Sequence, residues 1–463
     1  METGISQQLA AFVVHTKYED LNRAAVEATK RCLLDGLGVS LAATGIGEGV
    51  EAFEAVSAMQ ESKGSSSLFG LDKKTSSVQA AFVNGALAHA LDFEDAHDET
   101  LMHPNAASIP AAIAVSEELG NVSGKELITA IAVACDVVCR LASAVEVPLD
   151  DFGWYPPPIF NVFGATAAAA KLYGLTEREV LSAFSIALCN TSCSAEIKHN
   201  PSSVIRAIRD AFPAHMGVLA AQLAKQGVNG FDKPFEGKAG FFNNFLRGNY
   251  KSDPITAGLG KDFYIENISL KPWPSCRGTH AFIEAIQAAM EEHNFDLDSI
   301  EKIVCSGSRI NRMLAEPIES KRSPQSAIDA KFSIPYVVAL TLHHGEVVLD
   351  HFLMQQLDDA EVLKTTKKIQ YQIDTQLGDG PEGMTSATVE ILLDDGRSFG
   401  YSVQGAYGNP DRPLSDVFLK DKFMQCCRFS KTLRSEREYE ELYCSLLDLE
   451  KFNDLSKVLF CHL

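Results

Sequence analysis

Asp92, Asp95, His97 and His103 lie close together in the stretch His-Ala-Leu-Asp-Phe-Glu-Asp-Ala-His-Asp-Glu-Thr-Leu-Met-His-Pro, from His89 to Pro104. Apolar, alanine-rich segments flank it on both sides, Val78 to Leu91 and Ala106 to Val115. Charge between two core-type helices is costly unless it is solvated at a helix end or held in a pocket that shifts its pKa. Mixed imidazole and carboxylate groups can keep opposite protonation states near neutral pH, which acid–base chemistry requires. The alternative is a solvated loop with incidental charges. His103-Pro104 weighs against it, because proline fixes the backbone beside the imidazole. The same residues could hold a divalent ion, but no His-Glu-x-x-His or Cys-x-x-Cys spacing occurs, so a site without metal is expected.

A second group is Lys271-Pro-Trp-Pro-Ser-Cys-Arg-Gly-Thr-His280. Prolines and a glycine stiffen this loop, Lys271, Arg277 and His280 supply donors, and Thr279 can cap the helix that follows. Such a loop suits the clamping of carboxylates. A third is Gly153-Trp-Tyr-Pro-Pro-Pro158, where Tyr155 is a candidate hydrogen-bond donor or proton carrier and the prolines could serve only to start a helix. A fourth is Lys198-His199 with Arg206, Arg209, Asp210 and His215, whose spacing lets only a minority face one site. Gly45-Ile-Gly-Glu-Gly49 lacks the preceding strand of a nucleotide loop. Cys135 and Cys139 stand one helical turn apart and read as core packing.

Helices must position most of these groups. Residues 1 to about 260 read as almost wholly helical. Asp20 to Leu41 has helical apolar spacing, and Ser123-Gly-Lys-Glu126 and Thr176-Glu-Arg-Glu179 fit the capping box. Ser202 to Gln226 reads as a helix interrupted at Pro213 and stopped by Gly227. After Tyr264 the pattern changes. Short strands are expected at Glu301–Ser308, Lys368–Ile373, Ser386–Leu393 and Ser398–Val403, the last two joined at Asp395-Gly396, with helices at Thr279–Asn294, Ala330–Leu342 and Ala360–Thr366. Phe418 to Leu463 turns helical again. The expectation is a mainly α protein with a smaller α+β domain: a helical domain of residues 1–264 completed by 405–463, and an α/β lid domain of 265–404. The formal net charge of −20 in 463 residues disfavours nucleic acid and anionic membrane as partners. No apolar run approaches the ~20 residues of a membrane span. Eleven scattered cysteines and the absence of a signal-peptide pattern point to the cytoplasm.

At these residues the chain resembles the MmgE/PrpD family, which contains 2-methylcitrate dehydratases, cis-aconitate decarboxylases and iminodisuccinate epimerase. The resemblance rests on Asn84–Asp95, His103-Pro104, Phe163–Leu175, Gly237–Gly240, Lys271–His280 and Asp329–Tyr336. It implies a homodimer without cofactor, with an active site in the cleft between the helical domain and the lid, lined by Asp92, His103, Lys271 and His280. Two positions depart: Tyr155 stands where the family has a histidine, and Phe212 where a lysine is common. The reading that follows is a lyase acting on a small anionic di- or tricarboxylate, foremost the dehydration of a 2-methylcitrate-like or alkylcitrate-like hydroxy acid. An iminodisuccinate-like epimerase, a cis-aconitate-type decarboxylase and a non-catalytic carboxylate binder are the alternatives. Asp92, His103, Tyr155 and Lys271 are expected to be catalytic, and Asp95, His97, Arg277, His280 and His215 to bind substrate.

Overall fold

The computed structural model describes residues 4–200, 202–378 and 380–459; the ends of the expected helical segments, residues 1–3 and 460–463, lie outside the described residues. Its principal helices are α1 (Arg23–Ile46), α2 (Ser77–His89), α3 (Asn105–Leu119), α4 (Gly124–Ser143), α5 (Pro156–Leu172), α6 (Glu177–Asn190), α7 (Ala211–Lys225), α8 (His280–Glu292), α9 (Ile334–His344), α10 (Asp416–Cys427) and α11 (Glu436–Leu447). Both expected capping boxes form: Glu126 accepts from Ser123 N at 2.8 Å, and Glu179 from Thr176 N at 2.8 Å. Each satisfies N–H groups that have no partner inside the helix.

α5 runs through the helical body in contact with α3, α4, α6 and α7. Glycine permits the approach: a Cβ on Gly164 would lie 2.5 Å from Val138 Cγ2, and one on Gly217 2.5 Å from Ala165 Cβ. α10 and α11 pack on α1, so Leu419, Phe423, Leu442 and Leu446 join the same core as the N-terminal helices. A second core gathers residues from Trp273 to Ala406, together with Ala207, around a four-stranded sheet. Among the described residues no helix is long and apolar enough to cross a membrane.

The sheet contains β3 (Ile300–Gly307), β4 (Ile369–Ile373), β5 (Ala387–Leu393) and β6 (Ser398–Val403), numbered after the hairpin below, in the order β4-β3-β5-β6. β3 pairs parallel to β4 and antiparallel to β5, and Gly396, at φ 87°, turns β5 into β6. α8 covers β5 and β6 and packs on α9.

Three local readings need correction. A short hairpin, β1 (Ser66–Leu68) with β2 (Lys73–Thr75), interrupts the part read as helical; three-residue strands carry no periodicity to detect. The segment expected as one helix from Ala330 to Leu342 is instead a short helix, Ala327–Lys331, followed by α9, which starts with proline in its first turn. Most consequentially, no helix runs from Ser202. α7 begins at Ala211, with Pro213 in its first turn, where a missing N–H costs nothing, and residues 205–210 form turns. Arg206 and Arg209 therefore sit on the turn leading into α7, free of a helical register.

Candidate active site

A cavity of about 250 Å³ opens where the helical body meets the α/β body. Its walls come from the loop after α2, the end of α4, the start of α5, the turn before α7, and the α/β residues Ile310, Met313, Phe332 and Met384. The loop after α2 is unusual. Asp92 adopts φ 48°, in the left-handed region that residues other than glycine adopt uncommonly. Three buried lysines hold that loop by successive carbonyls: Lys331 Nζ donates to Leu91 O at 2.5 Å, Lys271 Nζ to Asp92 O at 2.8 Å and Lys422 Nζ to Phe93 O at 2.8 Å. Burial brings the Lys331 ammonium down to about 8, against the pull of Asp92.

Lys271 Nζ also donates to Asp92 Oδ1 at 2.8 Å. Burial alone would push the Asp92 carboxyl up, but Lys271 and His89 outweigh it and hold it below the ordinary range. Glu94, which the sequence reading passed over, is the hub of the cluster. Its Oε1 accepts from His89 Nδ1 and lies 3.0 Å from His103 Nδ1. Burial opposes its charge too, yet His89, Lys271 and His103 keep it well below the usual carboxylate range.

His103 Nδ1 thus faces two acceptors, Glu94 Oε1 at 3.0 Å and Asp95 O at 2.9 Å. Neither can donate, so Nδ1 carries the proton and Nε2 keeps the lone pair; the tautomer follows from the network. Burial and Lys271 lower the His103 pKa more than Glu94 raises it, and the imidazole is neutral at neutral pH. His103 lines the cavity and keeps 14 % of its side chain exposed; Asp92 also borders it with a side chain 1 % exposed, while His89 and Glu94 lie behind the lining.

Tyr155 borders the same space. Its hydroxyl accepts from Arg209 Nη1 at 2.6 Å, which leaves the phenolic proton available. Arg209 pairs with Asp210, Asp210 Oδ1 accepts from Asn161 Nδ2 at 2.7 Å, and the same amide donates to His103 O at 3.0 Å. One hydrogen-bonded chain therefore links the Tyr155 side of the cavity to the His103 backbone.

Other expected residues are placed differently. Arg277 reaches the cavity wall with its donors already engaged: Asp98 at 3.0 Å, Tyr407 O at 2.7 Å and Ala406 O at 2.8 Å. His280 lies behind it, accepting from Arg277 Nη1 at 3.2 Å and donating to Ser275 O at 3.1 Å; burial and Arg277 keep it neutral. Thr279 does not cap α8, because its hydroxyl donates to Cys276 O. Asp95 faces inward, accepts from Asn105, and is pushed well above its ordinary pKa by burial and by Glu94 and Asp35. His97 lines the wall with Nδ1 2.7 Å from the Thr100 hydroxyl. His215 is outside the cavity lining, its ring 5.3 Å from that of Phe82, and Phe212 is 55 % exposed beside the same ring. Arg206 and Arg209 line the cavity instead, and each keeps a buried N–H without a partner, Nε on Arg206 and Nη2 on Arg209.

His89, Asp92, Glu94 and His103 offer ligand atoms within 4.8 Å of one another, a spacing compatible with a metal ion. Here Lys271 already places a cation on Asp92, and two imidazole donors already occupy Glu94. A metal would have to displace them.

A helical body and an α/β body that share one charged cleft define a two-domain protein with ionisable groups from many chain segments gathered at the junction. Residues 7–253 match the MmgE/PrpD N-terminal domain and residues 273–444 the MmgE/PrpD C-terminal domain, and the chain belongs to the MmgE/PrpD family. It is 27 % identical to the cis-aconitate decarboxylase-like protein oryM of Aspergillus oryzae, over 99 % of this chain and 97 % of that one. It is 27 % identical to the cis-aconitate decarboxylase of Mus musculus, over 91 % and 86 %. With the 2-methylcitrate dehydratase of Cupriavidus necator it shares 24 % identity over 72 % and 70 %.

Proposed function

We propose that this protein is a lyase that removes a proton from the carbon next to a carboxylate of a di- or tricarboxylate, and that the reaction is foremost a dehydration. The observation that carries this reading is the neutral His103, with Nδ1–H committed to Glu94 and Asp95 O and Nε2 left as a base beside the cavity. A positioned base of this kind contributes typically ~10²–10⁴-fold in rate. Arg206 and Arg209 bind the substrate carboxylate and take up the charge that grows on it as the proton leaves. Tyr155, its oxygen already accepting from Arg209, gives its proton to the departing hydroxyl. Asp92, with Lys271 as counter-ion, accepts a hydrogen bond from that hydroxyl beforehand. Glu94 keeps His103 in the correct tautomer and stabilises the imidazolium once formed. Lys271 is buried and acts through Asp92 rather than on substrate.

Decarboxylation is the second reading, favoured by the activity named in the relatives from mouse and A. oryzae. It asks first for a proton donor at carbon, a role that Tyr155 fits better than neutral His103. Incubation with 2-methylcitrate, cis-aconitate and iminodisuccinate in D₂O, followed by NMR, separates these. An alkene product from the hydroxy acid supports dehydration, and CO₂ release supports the second reading. Deuterium entering at the α-carbon without cleavage would overturn both in favour of epimerisation.

A further inference from the structure

We infer that the cavity takes a carboxylate with two anionic arms and a third arm that is hydrocarbon. The inference rests on the lyase reading above and adds the substrate class. It begins with the cations at the wall. Arg277 is spent on Asp98 and two carbonyls, and Lys198 is paired with Asp150 at 2.9 Å. Among the described residues that leaves Arg206 and Arg209, each with a buried N–H that has no partner, although Arg209 also pairs with Asp210 through Nε and donates to Tyr155 through Nη1. They flank one phenol, with Cζ 5.7 Å and 5.2 Å from the Tyr155 ring, and Arg206 also lies 3.5 Å over Phe332. Guanidiniums held over aromatic faces keep donors in place for carboxylates, Arg206 through Nε and Arg209 through Nη2.

Among the described residues of the wall a third carboxylate finds no such partner. The remaining charged groups at the wall include the carboxylates of Asp92, Asp98 and Asp150, and most of the surface is carbon. Leu101, Val145, Leu149 and Phe160 form it on the helical side, and Ile310, Met313 and Met384 on the α/β side. A charged arm there would be desolvated without a counter-ion. Met313 is 39 % exposed, an apolar side chain left open at the rim that a hydrocarbon arm would cover. Its thioether and that of Met384 adapt to chains of differing shape.

The test is calorimetric titration of the full-length protein with succinate, tricarballylate and the 2-methyl-, 2-propyl- and 2-hexylsuccinates, none of which has a hydroxyl to lose. Kd is expected to fall about fourfold for each methylene, the equivalent of ~0.8 kcal/mol per buried CH₂. Tricarballylate should bind no more tightly than succinate. Met313→Glu, at an exposed position, should flatten the chain-length series, whereas Arg206→Met should weaken every probe and keep the slope. A flat series in the unaltered protein, or tricarballylate binding more tightly than hexylsuccinate, overturns the inference; so does failure of every probe to bind. Turnover of 2-methylcitrate with a flat series refutes the hydrocarbon arm and leaves the lyase reading. A steep series with no turnover of any hydroxy acid does the reverse.

Discussion

Glu94→Gln isolates the least conspicuous member of the cluster. The change keeps the size of the side chain and removes the charge that Nδ1 of His103 faces at 3.0 Å. Asp95 O, at 2.9 Å, still accepts from that nitrogen, so the ring keeps one of the two anchors that set its tautomer. The loss should therefore fall short of the ~10⁴-fold seen when the only orienting carboxylate of a serine protease triad is neutralised. What disappears is a charge-assisted hydrogen bond to the imidazolium formed during proton transfer, ~1.5–3 kcal/mol. At ~1.4 kcal/mol per decade this predicts a kcat lower by about 10- to 150-fold. Glu94 does not line the cavity, so KM should stay within about threefold. The pH profile supplies a second readout. Glu94 raises the His103 pKa against the stronger downward push of burial and Lys271. Loss of its charge should move the acid limb of kcat/KM to still lower pH, from a starting point already below that of free imidazole. The assay is alkene formation from the hydroxy acid across pH. An unchanged kcat, or an acid limb displaced upward, would refute the role assigned to Glu94.

Three further outcomes follow from the geometry. Lys271→Met leaves Asp92 buried without its counter-ion, which should destabilise the fold by ~3–5 kcal/mol and abolish turnover; thermal melting alongside activity checks both. Tyr155→Phe removes the proton offered to the leaving group while Arg209 stays in place, so kcat should drop ~10²–10⁴-fold with substrate affinity nearly intact, as single-turnover and titration measurements can separate. Gly164→Val drives an isopropyl group, whose Cβ alone would meet Val138 and Ser108, into the crossing of α5 with its neighbours, and urea denaturation should show at least the ~1–3 kcal/mol typical of overpacking.

The broad architecture was legible because periodicity and capping chemistry are local. Ser123 with Glu126, Thr176 with Glu179 and the Asp395-Gly396 turn each announce an element boundary through groups a few residues apart. The acid–base loop was legible as a cluster, but its internal division of labour was not. Asp92, Glu94 and Asp95 are chemically alike in a sequence, and only packing decides that one pairs with Lys271, one orients His103 and one is buried with its pKa pushed well above the ordinary range. Arg277 read as a substrate ligand because its partners, Asp98, Ala406 and Tyr407, are remote in the chain, and His280 is shut behind it. Arg206 and Arg209 were hidden by the helical reading of their segment; Pro213 was the available signal that a helix starts there rather than breaks.

The lysines at positions 271, 331 and 422 come from the connector between the two bodies, from the α/β body and from the returning C-terminal helix, yet they fasten neighbouring peptide units of one loop. Every acid and base of the His89–His103 stretch is synthesised early, but the loop that presents them lacks these three lysine anchors until the later parts of the chain have docked. During synthesis the protein would thus stay chemically silent while the helical body grows, and gain competence only when its C-terminal helix closes back onto α1. Removal of that helix from an otherwise intact polypeptide should cost reactivity out of proportion to the secondary structure it takes away.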